Sequence, residues 1–429
     1  MKVATISALI GSTAAFPGLL NLGGDGKLLD LSGLSDLSVL ELNQQKTKNN
    51  TYPAADPKNC PFNHDHKPAA KWNPDFPYSH AKNGLPGNGK GGYQVPMPGD
   101  EDHKFIAPGK NDIRGPCPGM NMLANHGFIA RDGITNFQES VDACQNVFNM
   151  NWDLATVITL IALVLGDGDV LSQKFSIGCD ATSRTAAVEL IAGSQPGLNG
   201  HGNFEVDASM SRDDYFLAEG DAFTLNVTLF AQMVETTGGQ FTQSGISSLK
   251  HQRWHQSQQE NPNFFFGPIG LISYAASAFL PELYGDGKSA STETVATFFG
   301  VHQQDDGSWI YGHNESIPEG WTSRKEPYGL VGVVENFLKM YLEKPVLFGG
   351  NTADGHFDGL DFGAIKDGKI DAAISVDDTL CLVYQLLLWP VPGLLNGVLD
   401  IGTDALELVT STLGSTLTDL GCPAPVNAS

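Results

Sequence analysis

Pro116-Cys117-Pro118 carries the most chemically suggestive spacing in this sequence. Pro118 suits the first turn of a helix, where its missing N–H is not needed. The helix it would open has Met120, Leu123 and Ala124 on one face, and Gly127 suits its stop. Cys117 therefore stands at a helix start, its backbone restricted by a proline on either side. The free amides of the first turn favour a thiolate over a thiol. A preorganised, amide-supported thiolate is what an axial haem ligand requires. A cysteine at a helix start also serves simply as a structural residue, and the local physics leaves both readings open.

A second constellation reads Phe204-Glu205-Val206-Asp207-Ala208-Ser209. Two carboxylates at i and i+2, with a hydroxyl two further on, can wrap one hard cation through oxygen ligands. A solvated acidic loop has the same spacing. Glu219-Gly220-Asp221 repeats the acidic pattern without the hydroxyl and reads as a polar approach to a helix. His251 and His255 lie at i and i+4 on an expected helix, but Gln252 stands where a zinc protease needs its glutamate. They read as surface groups or as support for a site. Cys60, His64 and His66 sit in a Pro-rich stretch and read as loop. The Asp/Gly-rich residues 349–378 lack calcium-loop spacing.

These groups need elements to position them. Expected helices follow Pro118, begin at Thr135 with Gln138 completing a capping box, and run from Asp153 to Leu165. Cys144 shares an apolar face with Phe137, Val141 and Phe148, so it reads as core. Further helices are expected near Thr224–Thr236, Gln243–Glu260, Thr292–Phe299, Leu330–Leu342 and Leu380–Trp389. Alternating strand patterns are scarce. Residues 51–108 are dense in Pro, Gly, Asn and His, and Gly84 to Gly92 cannot hold a helix. They read as an extended arm over a core.

The run from Asp112 to Gly127, with Pro116-Cys117-Pro118 and Ala124-Asn125-His126-Gly127, resembles the proximal motif of the fungal haem-thiolate peroxidases, the chloroperoxidase and unspecific peroxygenase family. The resemblance extends from about His103 to the C-terminal region. It implies an all-α, peroxygenase-like helical haem domain with long irregular connections. It implies Cys117 as the axial ligand of haem b and Phe204 as a border of the haem pocket. It implies a magnesium ion, or another hard divalent cation, beside a haem propionate. Glu205, Asp207 and Ser209 would hold it by side chains, and Val206 by its carbonyl, with valine in place of the usual glycine. It implies a disulfide between Cys381 and Cys422, stabilising by about 3–4 kcal/mol in the chain-entropy model.

The same family splits peroxide with a distal glutamate and an arginine seven residues earlier, the carboxylate moving a proton between the two oxygens. Counted from Asn261-Pro262-Asn263-Phe264, the arginine position falls on Gly270 and the glutamate position on Ser277. Neither can do that work. Glu282, five residues on, is the candidate replacement.

The chain has 429 residues, 25 Lys+Arg against 48 Asp+Glu, and 41% apolar residues. This is a globular composition with room for a large core. A net charge of −23 argues against nucleic acid or an anionic membrane as partner. Residues 1–15 read as a signal peptide and 16–50 as a pro-segment or flexible arm. Residues 109–425 form the expected peroxidase domain. Sequons at Asn49, Asn226, Asn314 and Asn427 accord with secretion. The longest apolar run is too short to span a bilayer. The expected protein is a secreted glycoprotein that uses hydrogen peroxide to oxidise a small apolar or aromatic substrate. The alternatives are a haem-binding protein that has lost catalysis and a cation-stabilised scaffold without haem.

Overall fold

A computed structural model gives the fold and describes residues 52–186, 193–202 and 204–388. The expected signal peptide, the segment 16–50, Asn49, Asn427 and Cys422 lie outside these residues. The framework is nine α-helices among the described residues: α1 (Pro118–Asn125), α2 (Phe137–Phe148), α3 (Trp152–Leu165), α4 (Val227–Thr237), α5 (Gln243–Glu260), α6 (Gly270–Phe279), α7 (Thr292–Phe298), α8 (Leu330–Glu343) and α9 (Val376–Leu388). Helix α3 is apolar on nearly every side, so it must be central. It packs against α2, α8 and α9, while α6 packs on α8 and α5 packs on α4 and α8.

The structure is largely helical but not all-α. Among the described residues eleven strands of two or three residues form five small antiparallel sheets, such as Ile134–Asn136 against Lys174–Ser176. That pairing corrects one helix start. Thr135 lies opposite Phe175, so the helix begins at Phe137 and Asn136 caps it by accepting from the Glu139 amide. Likewise Leu225 bridges to Arg212, which delays α4 to Val227, with Asn226 as its cap. The Asn226 amide nitrogen also donates to both Asp213 oxygens, so this sequon's nitrogen is already committed. Asn314 is exposed.

Residues 52–108 hold no α-helix, and residues 69–87 lie along α2. Ser79 Oγ donates to Asn146 Oδ1, and the Asn146 amide donates back to the Ala81 carbonyl. The Gly84 and Gly87 amides donate to Asp142 and Gln145. A Cβ on Gly87 would stand 2.4 Å from the Ser79 carbonyl oxygen, which excludes any other residue there. A disulfide joins Cys60 to Cys179, 119 positions apart. A loop of that length gives about 5 kcal/mol in the chain-entropy model. It also removes Cys60 from any zinc site, while His66 pairs with Asp132 at 3.0 Å. Cys381 is disulfide-bonded.

Candidate functional site

Cys117 is the N-cap residue of α1 and faces a cavity of about 250 Å³. The nearby amides of Met120 and Gly119 favour the thiolate, as does Arg212. Burial acts the other way and is larger, so the thiol is pushed up overall. A cationic centre in the cavity is what would tip this cysteine to thiolate.

Much of the hold on α1 comes from a distant part of the chain. Asn121 donates to the Gly115 carbonyl and to Glu315 Oε1, and accepts from the Gly115 amide. Asn125 donates to the Glu315 carbonyl oxygen and accepts from Arg114. His126 Nε2 accepts from the Ile317 amide, so it is neutral, and burial lowers its pKa to about 4. The Asn-His pair at the end of the helix is therefore a mount, not a catalyst. Glu315 is fully buried and also accepts from the Tyr311 hydroxyl at 2.7 Å. Sequence reading missed Glu315 because it lies 194 positions from Asn121. Glu315→Ala would leave one Asn121 amide N–H and the Tyr311 hydroxyl without their acceptor. A loss of about 2–4 kcal/mol is expected in denaturant unfolding.

Glu205, Val206 and Ser209 line the same cavity, as does Phe204. One Glu205 oxygen accepts from His201 Nδ1 at 2.6 Å, while Oε1 is buried without a partner. Burial alone would lower His201, but Glu205, Asp207 and Asp214 outweigh it and raise the imidazole to about 9. Asp207 is aimed elsewhere: it accepts from Asn261 and from the Phe265 and Tyr215 amides. It braces the loop, and the residues of this segment that line the cavity are Glu205, Val206 and Ser209. Among the described residues no group of three or more His, Cys, Asp or Glu could hold a metal ion.

Helix α6 supplies another wall through Leu271, Ile272, Ser273, Ala275 and Ala276. The count from Asn261 led to Ser277 and Gly270, and the structure keeps both out of the cavity wall. Ser277 is fully buried, its Oγ donates to the Ser273 carbonyl, and it does not line the cavity. Ala276, one residue earlier, does. Gly270 lies against the Phe266 ring and does not line the cavity either. Glu282 sits in the π turn Leu280–Tyr284 that follows α6. Its carboxylate accepts from Arg324, Asn336 and Gln243 and is absent from the cavity wall. His251 and His255 touch each other, Nε2 to Nε2 at 3.2 Å, away from the cavity. Asp221 accepts from the Thr224 amide, so the second acidic tripeptide shapes the approach to α4.

The remaining lining is mostly apolar, with Leu154, Val157, Ile161, Phe279 and Phe337 in it, and Ser140, Thr159 and Ser211 as polar members. A sulfur at a helix N-terminus, two orphaned polar atoms (Glu205 Oε1 and Arg212 Nη2) and an apolar wall fit a large flat group with an electrophilic centre and charged edges. Haem is such a group.

Residues 103–326 match the family described as peroxidase, family 2. An aromatic peroxidase of Fusarium equiseti is 32% identical over 75% of this chain and 78% of its own length. A dothistromin biosynthesis peroxidase of Dothistroma septosporum is 30% identical over 75% of this chain and 81% of its own. An aromatic peroxygenase of Cyclocybe aegerita is 34% identical over 67% of this chain and 71% of its own. With the match covering both Pro116-Cys117-Pro118 and the loop from Glu205 to Ser209, the chain belongs to peroxidase family 2, the fungal haem-thiolate peroxidases.

Proposed function

We propose that this enzyme uses hydrogen peroxide to insert oxygen into, or otherwise oxidise, an apolar aromatic substrate held between α3, α6 and α8. The observation that carries this reading is the pairing of Cys117 with an apolar cavity wall. Cys117 would ligate haem iron, the Gly119 and Met120 amides steadying its sulfur. Haem, when bound, supplies the splitting of peroxide. The protein supplies the rest. Glu205, Ser209 and the Val206 carbonyl would hold a hard divalent cation such as magnesium, balancing the buried carboxylate. Arg212 offers an unpaired N–H to a carboxylate edge. Phe204, Phe279, Val334 and Phe337 orient a planar substrate and exclude water. The Cys60–Cys179 disulfide supports an oxidising, secreted setting. No helix of the described residues is long and apolar enough to cross a membrane.

The test is peroxide-dependent conversion of a two-ring aromatic hydrocarbon by the haem-loaded enzyme, with and without halide. Hydroxylated product without halide is expected. Haem binding with no product under either condition would favour the non-catalytic reading, to which the lack of any carboxylate on α6 lends support.

A further inference from the structure

Lys250 is a buried cation that nothing above employs. It lies on α5 and is 1% exposed. Its Nζ donates to Ser273 Oγ at 2.6 Å and to the Ala208 carbonyl at 3.2 Å. Among the described residues no carboxylate pairs with it directly. The Tyr274 and Phe266 rings flank it at 5.2 and 5.8 Å. A buried, carboxylate-free ammonium is expensive to keep and calls for a reason.

Ser273 gives it one. It is the polar side chain on the α6 wall, among Leu271, Ile272, Ala275, Ala276 and Phe279. An ammonium can only donate, so it occupies a lone pair of Ser273 Oγ. The serine hydrogen is then left for another acceptor, and the side chain borders the cavity. We propose that Ser273, backed by Lys250, handles the peroxide protons on a wall that has no carboxylate. The inference rests on the peroxidase reading of the site.

The relay is neutral overall. The Ser273 hydroxyl hydrogen passes to the departing peroxide oxygen, which leaves as water. A Lys250 Nζ hydrogen replaces it on Oγ. The proton given up by the other peroxide oxygen returns along the same path to Nζ. Ser273 touches the reactant and is the catalytic residue, while Lys250 acts through it. A group that both gives and takes a proton works best near its own pKa. Burial lowers Lys250 to about 7, Arg253 on the same helix lowers it further, and Asp214 across the loop raises it. Tyr274 is the titratable group facing it from α6.

Cyanide binding to the haem-loaded protein, followed by the shift of its Soret band against pH, reads this pair without turnover. Peroxide consumption is measured alongside. In the wild type both should weaken as pH rises through about 7, when Lys250 loses its proton. Ser273→Ala and Lys250→Met should each lower peroxide consumption about tenfold or more and flatten that pH limb. The double variant should be no worse than either single one. Ser273→Thr, which keeps a hydroxyl, should restore both. Lys250→Met should keep or raise the melting midpoint, since it replaces a buried cation by an apolar side chain of similar length. If Lys250→Met fails to fold, Ser273→Ala decides alone. An unchanged pH limb in Ser273→Ala overturns the proposal. A wild-type protein with no cyanide-sensitive band overturns the functional reading, and this inference with it.

Discussion

Cys117→Ala is expected to abolish peroxide turnover, a loss of at least about a thousandfold, while the protein stays folded. The fold should survive because Cys117 is half-buried, facing the cavity, and makes no side-chain cap bond to α1. The helix is held instead through Asn121 and Asn125. The sulfur's work is electronic. Two amides and Arg212 already favour its anion, and burial prevents them from winning alone. Haem iron, bound as proposed, would be the positive partner that completes the balance. The measurement is the absorption spectrum of the reduced protein under carbon monoxide. The wild type should give the red-shifted band of a thiolate-ligated haem, and the alanine variant should not. An identical band in both would remove Cys117 from the haem.

The second large effect is a gain. Ala276→Glu should raise the rate of peroxide consumption by about a hundredfold or more, the range typical of a positioned acid–base group. Ala276 is exposed to the cavity, so a carboxylate there has room and partial solvation. Ser277→Glu should do the opposite. That position is fully buried, and an unpaired carboxylate there would cost about 3–5 kcal/mol. Stopped-flow peroxide kinetics and thermal melts of the two variants separate the positions. Faster peroxide use in Ser277→Glu, with Ala276→Glu unchanged, would reverse the assignment.

That one-residue distinction marks the limit of what the sequence discloses. Pro116-Cys117-Pro118 is legible because its meaning is local: the prolines and the helix start lie within a few residues. The count to Ser277 had to cross Phe264 to Ile269, a stretch of irregular backbone with a short strand. One residue along a helix is a rotation of about 100°, enough to exchange a cavity face for a core face. Glu282 looked available as a helix-end carboxylate, but the π turn swings it onto Arg324, and no periodicity signals that turn. Asp207 carries the right atoms for a cation and is turned away by Asn261, 54 positions distant. The five small sheets escaped notice because two or three residues cannot display an alternating pattern. Lys250 escaped because a lysine in a polar helix reads as a surface residue, and its burial depends on α6 packing over it.

The long-range mount of α1 also bears on recombination between relatives. Residues 114–126 and 311–317 form one mechanical unit split across the chain, joined through Asn121, Asn125, His126 and Glu315. A crossover anywhere between them would pair one parent's cysteine helix with the other parent's clamp. Chimeras that inherit both segments from one parent should load haem. Those that split them should express as folded protein with a misplaced sulfur.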